Sequence, residues 1–378
     1  MSSRALTLLA AGDNILGPGA EFYFAPVVPT LRAADLVVGQ LEVPYTARDA
    51  EALALGRDPE NLQALVSAGM QLVTLAGNHI ADAGVTGIED TLGWLRGHGI
   101  GCTGAGMNLR EARCPTIVER GGVRFGFLSY NCVGPKETWA GANRPGCAFI
   151  HVITHYELDH ATPGGPPAIY TWAEPDTLGA MEEDIRQLRS RCDVLIVSLH
   201  KGLVHTPVKI AAYEQQVSYA AIDAGADLVV GHHAHILKGI EVYRGKTIFH
   251  GLCNLVAWLP SLAKPGADPQ GWASRRRELF GFVPDPEYPT YPFHPEARYT
   301  IMARCIIEGD KITGTSYLPC LVNKQGQPEV MKQDERGRKV FEYMEKITKA
   351  AGLNAQFVWQ GDLVSIVGAS NQHQQEEK

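Results

Sequence analysis

Five short runs of valine, leucine, isoleucine and alanine each stop at polar residues: 6–11 before Asp13, 36–41 before Glu42, 72–76 before Asn78, 194–199 before His200 and 228–230 before His232. Runs that are apolar at successive positions fit strands buried on both faces, and the shared polar C-terminal end places the chemistry along one edge of a sheet. Helical patterns lie between them over 59–68, 85–98, 178–191 and 208–224, the last stopped by Gly225. Strands alternating with helices predict an α/β layered architecture. Turn residues mark three hairpins, over 116–130 about Gly121-Gly122, over 239–250 about Arg244-Gly245, and over 299–317 with its turn at 308–311. The sheets are therefore expected to mix parallel and antiparallel pairing.

Two stretches interrupt the pattern, 131–176 and 260–295, both rich in proline and aromatic residues. Loops this long inside a domain are either lids or surface excursions. Residues 1–258 and 296–367 are expected to form one domain around these insertions, and the polar tail 369–378 is expected to be disordered. No internal repeat is visible.

The chain has 378 residues, 45% hydrophobic and 20% charged, enough apolar material for a large core. A net charge of −7 supplies no general field for nucleic acid, and Arg275-Arg276-Arg277 is too local a run to change that. The apolar run after Arg4 is too short for a membrane span and lacks a leader cleavage pattern, so it reads as the first core strand. The eight cysteines are dispersed, with no Cys-x-x-Cys pair, which favours reduced thiols in a cytoplasmic protein.

Singly, each polar strand end has a structural explanation: a turn aspartate at Asp13, a capping carboxylate at Glu42, a core histidine at His200. Together, carboxylates, an amide and imidazoles at five strand ends are better explained by one site. His233 and His235 are two apart, so in an extended backbone they project to one side and can share a metal, with His232 pointing the other way. Imidazole, carboxylate and amide oxygen suit Mn, Fe or Zn, whereas calcium would take oxygen alone.

The ordered set Gly12-Asp13, Leu41-Glu42, Gly77-Asn78-His79, Leu199-His200-Lys201-Gly202 and Gly231-His232-His233-Ala234-His235 resembles the CapA (PgsA) family of capsule and poly-γ-glutamate synthesis, within the calcineurin-like metallophosphoesterases. The segments 78–87, 104–112, 222–228, 240–248 and 252–256 agree, so the likeness covers most of 6–258. The resemblance implies a four-layer αββα sandwich of the metallophosphatase type, with mixed sheets and a metal-centred site at the strand ends. It also implies that Asp13 and His235 bind one ion, that Glu42 bridges, that Asn78, His200 and His233 bind a second, and that His79 is the catalytic acid. The chain departs from the phosphoesterase pattern at Asp13-Asn14-Ile15, where Asp-x-His is usual, and from CapA-like sequences at Cys253, where glycine is typical.

Three functions remain open at this point. The first is a hydrolase with one or two divalent ions acting on an ester, amide or anionic polymer. The second is a metal-free peptide epimerase, with Asp13 or Glu42 and a histidine as its acid–base pair and His294 as the second proton carrier. The third is a non-catalytic accessory protein that holds an anionic polymer through Lys201, Arg275, Arg276 and Arg277, with His232 a further binding candidate and Trp139, Trp172, Trp258 and Trp272 as apolar walls. No nucleic-acid partner is expected, and the oligomeric state is not legible.

Overall fold

Along the strand Val194–Lys201, Val194 and Ile196 face one apolar core while Leu195, Val197 and Leu199 face another. Phe125 and Phe127 against Leu128 and Tyr130 sort in the same way, as do Leu228 and Val230 against Val229. This period-2 division is what a strand covered on both faces requires. This computed structural model describes residues 4–158, 160–260 and 269–368.

The strand belongs to a six-stranded sheet in the order Ile240–Tyr243, Lys246–Phe249, Leu228–His233, Val194–Lys201, Val123–Asn131, Thr116–Arg120. Its inner pairings are parallel and both edges are hairpins. A ten-stranded sheet is built around Leu6–Ile15, which pairs in parallel with Leu36–Leu41 and Asn254–Ala257 and antiparallel with Tyr299–Glu308. Tyr299–Glu308 and Lys311–Val322 form the expected third hairpin, so chain beyond the second insertion joins the sheet of the first strand.

The inner faces of both sheets share one core. Helices Pro175–Arg189 and Ala212–Ala224 cover the outer face of the six-stranded sheet through Met181, Ile185, Leu188, Val217 and Ala221. Helices Gln63–Ala68 and Gly84–Gly97 pack onto the ten-stranded sheet through Leu65, Ala68, Ile88, Leu92 and Leu95. The result is the expected αββα sandwich.

Several boundaries differ from the sequence reading for physical reasons. The helix expected from 208 begins at Ala212, because Val208 takes φ +63° and Ala211 is extended, at φ −76° and ψ 150°. The pattern over 59–68 divides into a 3₁₀ turn, Pro59–Leu62, and the helix Gln63–Ala68. Neither insertion is an unstructured loop. The first holds an antiparallel ribbon, Val152–Glu157 with Ala168–Ala173, and the second holds the helix Pro269–Phe280. The tail 369–378 lies outside the described residues.

Candidate functional site

Two glycines let the strand ends converge. A Cβ on Gly12 would lie 2.0 Å from the Cys253 carbonyl oxygen, and one on Gly231 would lie 2.1 Å from that of His250. Without those side chains, Asp13 N–H donates to the Cys253 carbonyl at 2.9 Å, and the first strand abuts Asn254–Ala257. The strand Leu228–His233 then ends over the Asp13 carboxylate, whose Oδ2 accepts from His233 N–H at 3.0 Å. His233 and His235 adopt φ values of +86° and +49°. They reach the same site through left-handed turns, where an extended backbone had been expected.

Asp13, Glu42 and His235 present ligand atoms that all lie within 4.8 Å of one another, and Asp13 and Glu42 are fully buried. Both Glu42 carboxylate oxygens lack a hydrogen-bond partner, although His235 Nε2 is 3.1 Å from Oε1. Asn254 Oδ1 accepts from His235 Nδ1 at 2.8 Å, and Asn254 Nδ2 donates to the Tyr291 hydroxyl at 3.0 Å. His235 Nδ1 thus carries the proton and its Nε2 faces the carboxylates, the arrangement usual for a metal-binding imidazole. Beside this group, Asn78 Oδ1 lies 2.7 Å from His200 Nε2 and 3.2 Å from His233 Nδ1, so a second set of neutral donors meets at one point.

The local field follows from burial and charge. Burial works to raise the Asp13 carboxyl, but His232 Nδ1 at 3.0 Å, the charge of His235 and the His233 amide together hold it below the ordinary range. Burial lowers His235, and Glu42 and Asp13 outweigh it, taking it up to about 9. Burial, reinforced by His235, depresses His233 to about 3, and burial with the neighbouring imidazoles takes His200 well below its usual value. These two rings are neutral donors. His79 is pulled down by burial and pushed up further by its Asp82 hydrogen bond and the Glu42 charge, for a net rise.

These groups open onto a cavity of about 560 Å³ lined by Glu42, Asn78, His79, His233 and His235. Val43, Leu55, Leu259, Trp272 and Phe293 give it apolar walls, and Arg57, Asp82, His205 and Arg276 add polar ones. Trp272 and Phe293 come from the second insertion, whereas the first contributes no residue to the lining. Of the four tryptophans considered, Trp272 lines the cavity; Trp139 stacks on Phe149, Trp172 sits on the ribbon, and Trp258 packs against Gly17.

Several sequence expectations are corrected here. Lys201 is no substrate contact: its ammonium is fully buried, 2.9 Å from His250 Nδ1 and 3.6 Å from Glu214 Oε2. His232 is buried against Asp13 on the inter-sheet side, behind the cavity wall. His294 caps the turn Pro295–Arg298, its Nδ1 accepting from Glu296 N–H at 3.1 Å; its ring meets Phe282, and it is not itself among the described residues that line the cavity. The second proton carrier of the epimerase reading thus stands outside the cavity lining. Arg275 and Arg277 are exposed and off the cavity, while Arg276 lines it, one helical turn from Trp272. Sequence reasoning missed Arg57, Asp82, His205, Asn254 and Phe293. For Asp82 a signal existed, since it stands three residues after His79 in the turn that follows the strand.

The family described as bacterial capsule synthesis protein PGA_cap matches residues 7–258. Among curated proteins, the PGA biosynthesis protein CapA of Bacillus subtilis is 31% identical over 68% of this chain and 64% of its own length. A probable polyglutamine synthesis accessory protein of Mycobacterium tuberculosis is 31% identical over 59% of this chain and 56% of its own length. The chain thus spans less than two thirds of either relative. Among solved structures, the calcineurin-like phosphoesterase YfkN of Bacillus subtilis aligns over 92% of this chain and 98% of the solved one, with a TM-score of 0.41 and 14% identity. With two thirds of its length matched, this chain belongs to the bacterial capsule synthesis protein family PGA_cap.

Proposed function

We propose that this protein is a metal-dependent hydrolase that cleaves an ester or amide bond in an anionic polymer of the poly-γ-glutamate or capsule kind, in the cytoplasm. The observation that carries the reading is the convergence of two wholly buried carboxylates, Asp13 and Glu42, with His235 within 4.8 Å, Glu42 having only the His235 ring within ion-pair range among the described residues. Two buried carboxylates gathered around one imidazole are costly, and a divalent cation held between them relieves that cost. The donors fit Mn, Fe or Zn: Asp13, Glu42 and His235 would hold one ion, and Asn78, His200 and His233 a second.

A bound divalent ion there supplies Lewis-acid polarisation of the scissile oxygen and a water activated near neutral pH. The chain's own residues do the rest. His235 is oriented by Asn254, and Asp13 is fixed by the His233 amide. His79, on the cavity wall, has its Nδ1 bonded to Asp82 at 2.8 Å, which leaves Nε2 to protonate the departing oxygen. Trp272 and Phe293 exclude water from one side.

Elemental analysis of protein purified without chelator, followed by a Mn-supplemented hydrolysis screen over esters, amides and polyglutamates, tests the proposal. Glu42→Ala and His233→Ala should lose metal and activity while remaining folded; a fully active metal-free protein would overturn it. A second reading, a binding accessory without turnover, draws on the likeness to the Mycobacterium tuberculosis relatives, which are called probable polyglutamine synthesis accessory proteins. In that case polymer binding survives Asp13→Ala and His79→Ala.

A further inference from the structure

Among the described residues, Arg57 is the one cation of the cleft wall that the proposed chemistry leaves unused and whose charge is almost wholly withdrawn from water. The residue is 8% exposed, yet it lines the cavity together with Glu42, Asn78 and His79. Its backbone is pinned: Arg57 N–H donates to the Ala52 carbonyl at 2.9 Å, and its own carbonyl accepts from Thr46 N–H at 3.1 Å. Among the described residues its guanidinium makes one hydrogen bond, from Nη1 to the Leu16 carbonyl at 2.6 Å, an oxygen that also accepts from the buried Tyr45 hydroxyl at 3.1 Å. A guanidinium has five N–H donors, so most of the fork is uncommitted. Among the described residues no carboxylate comes within ion-pair distance of it; Asp82 and Glu42 act on it through longer-range charge alone.

We propose that Arg57 is the residue that recognises the substrate's anionic group, and that the group is a carboxylate carried on the same molecule as the bond to be cut. A buried guanidinium with no counter-ion is costly, and a planar carboxylate or phosphate that takes two parallel N–H bonds relieves that cost. The fork is held at one end by the Leu16 carbonyl, which Tyr45 also bonds, so little side-chain freedom is lost when an anion arrives. Carboxylate is favoured over phosphate because Glu42, Glu51 and Asp82 share the cavity with Arg57, and a phosphate brings up to two negative charges on the one group that enters the fork where a carboxylate brings one. Arg276 is a weaker candidate: its guanidinium already lies over Trp272 at 4.6 Å and Phe280 at 5.3 Å.

This assignment rests on the cleft being the substrate site, but not on turnover, and equilibrium binding tests it separately. Calorimetric titration of the full chain with glutarate, glutaramide and inorganic phosphate is run on wild type, Arg57→Gln and Arg57→Lys, with thermal melts to show that each variant is folded. Glutarate should bind wild type, weaken at least tenfold in Arg57→Gln and fall between the two in Arg57→Lys, which keeps the charge and loses the fork; glutaramide should not bind. Glutarate binding within twofold of wild type in Arg57→Gln overturns the proposal, as does wild-type protein that binds phosphate but not glutarate, or neither. If Arg57→Gln does not fold, Arg57→Lys alone decides: unchanged glutarate affinity overturns the assignment. Arg57-dependent glutarate binding in a protein without hydrolytic activity upholds this inference and removes only the hydrolase reading.

Discussion

His235 donates its Nδ1 proton to Asn254 Oδ1 at 2.8 Å, and this single bond fixes which ring nitrogen faces Glu42, 3.1 Å away. Asn254 lies in register with Asp13 on the neighbouring parallel strand, so backbone pairing delivers both a carboxylate and the group that orients its partner imidazole. Loss of a residue that orients a metal-binding histidine typically weakens affinity by about 10–100-fold. Asn254→Ala is therefore expected to weaken Mn²⁺ binding by at least about tenfold, read by calorimetry, with Asn254→Asp recovering most of it because an acceptor returns. Equal affinities in Asn254→Ala and wild type would show that the ring is oriented by something else.

His79 and Asp82 are not among the groups that meet at the two donor sets, so their loss should separate chemistry from metal binding. His79→Ala is expected to reduce turnover by about 10²–10⁴-fold, the usual range for a positioned acid. Asp82→Asn should reduce it less, since the ring keeps a neighbour. Metal content of both variants should match wild type; a variant that loses metal in proportion to activity would place His79 among the ligands instead.

The sandwich, and the meeting of Asp13, Glu42, Asn78, His200, His233 and His235 at one edge, were legible because buried strands leave an unbroken apolar signature and these residues stand at or just beyond its ends. Orientation was the harder part. His200 and Lys201 are adjacent in a strand, so alternation already sends the ammonium away from the imidazole's side, into the buried pair with His250 and Glu214. The same rule separates His232 from His233. Among Arg275, Arg276 and Arg277, the helix that would select one is short and polar, and its partner face, Trp272 and Phe280, is recognisable only once 272, 276 and 280 are known to share a side. Arg57 carried no pattern, since it follows a glycine in a loop, and Asn254, although inside the 252–256 likeness, begins a strand too short to show its role; both owe their position to contacts distant in sequence.

Away from the site, Asp227 ties the six-stranded sheet to its covering helix. Its carboxylate accepts from Arg189 Nη1 at 2.6 Å, Lys246 Nζ at 2.7 Å and Leu195 N–H at 3.0 Å. Burial raises its pKa, and the Lys246, Leu195 and Arg189 bonds overcome burial to hold it below the ordinary carboxylate value. A carboxyl lowered in the folded state contributes stability that is complete above its unfolded value, about 3.9, and is lost as pH falls through the folded one. Asp227→Asn should cost about 2 kcal/mol in urea unfolding at pH 7, and the gap from wild type should shrink as the titration is repeated toward pH 3. A gap that widens in acid would contradict this sign.

Two glycine-to-alanine substitutions should move stability in opposite directions, because one glycine is needed for approach and the other is not. At Gly12 a Cβ would stand 2.0 Å from the Cys253 carbonyl oxygen, which is backbone and cannot swing aside. The first strand and Asn254–Ala257 would have to separate, carrying Asp13 away from the His233 amide. Gly12→Ala is expected to destabilise the fold by about 3 kcal/mol, at the upper end of overpacking costs, and to abolish the thermal stabilisation that added Mn²⁺ gives wild type. Gly93, in the helix Gly84–Gly97, is exposed with nothing within 4 Å of its Cβ position. Gly93→Ala should stabilise by about 0.5–1 kcal/mol through helix propensity alone. Paired thermal melts with and without Mn²⁺ read both effects, and a Gly12→Ala protein that still gains stability from the ion would mean that the two strands do not need to touch for the carboxylate to be placed.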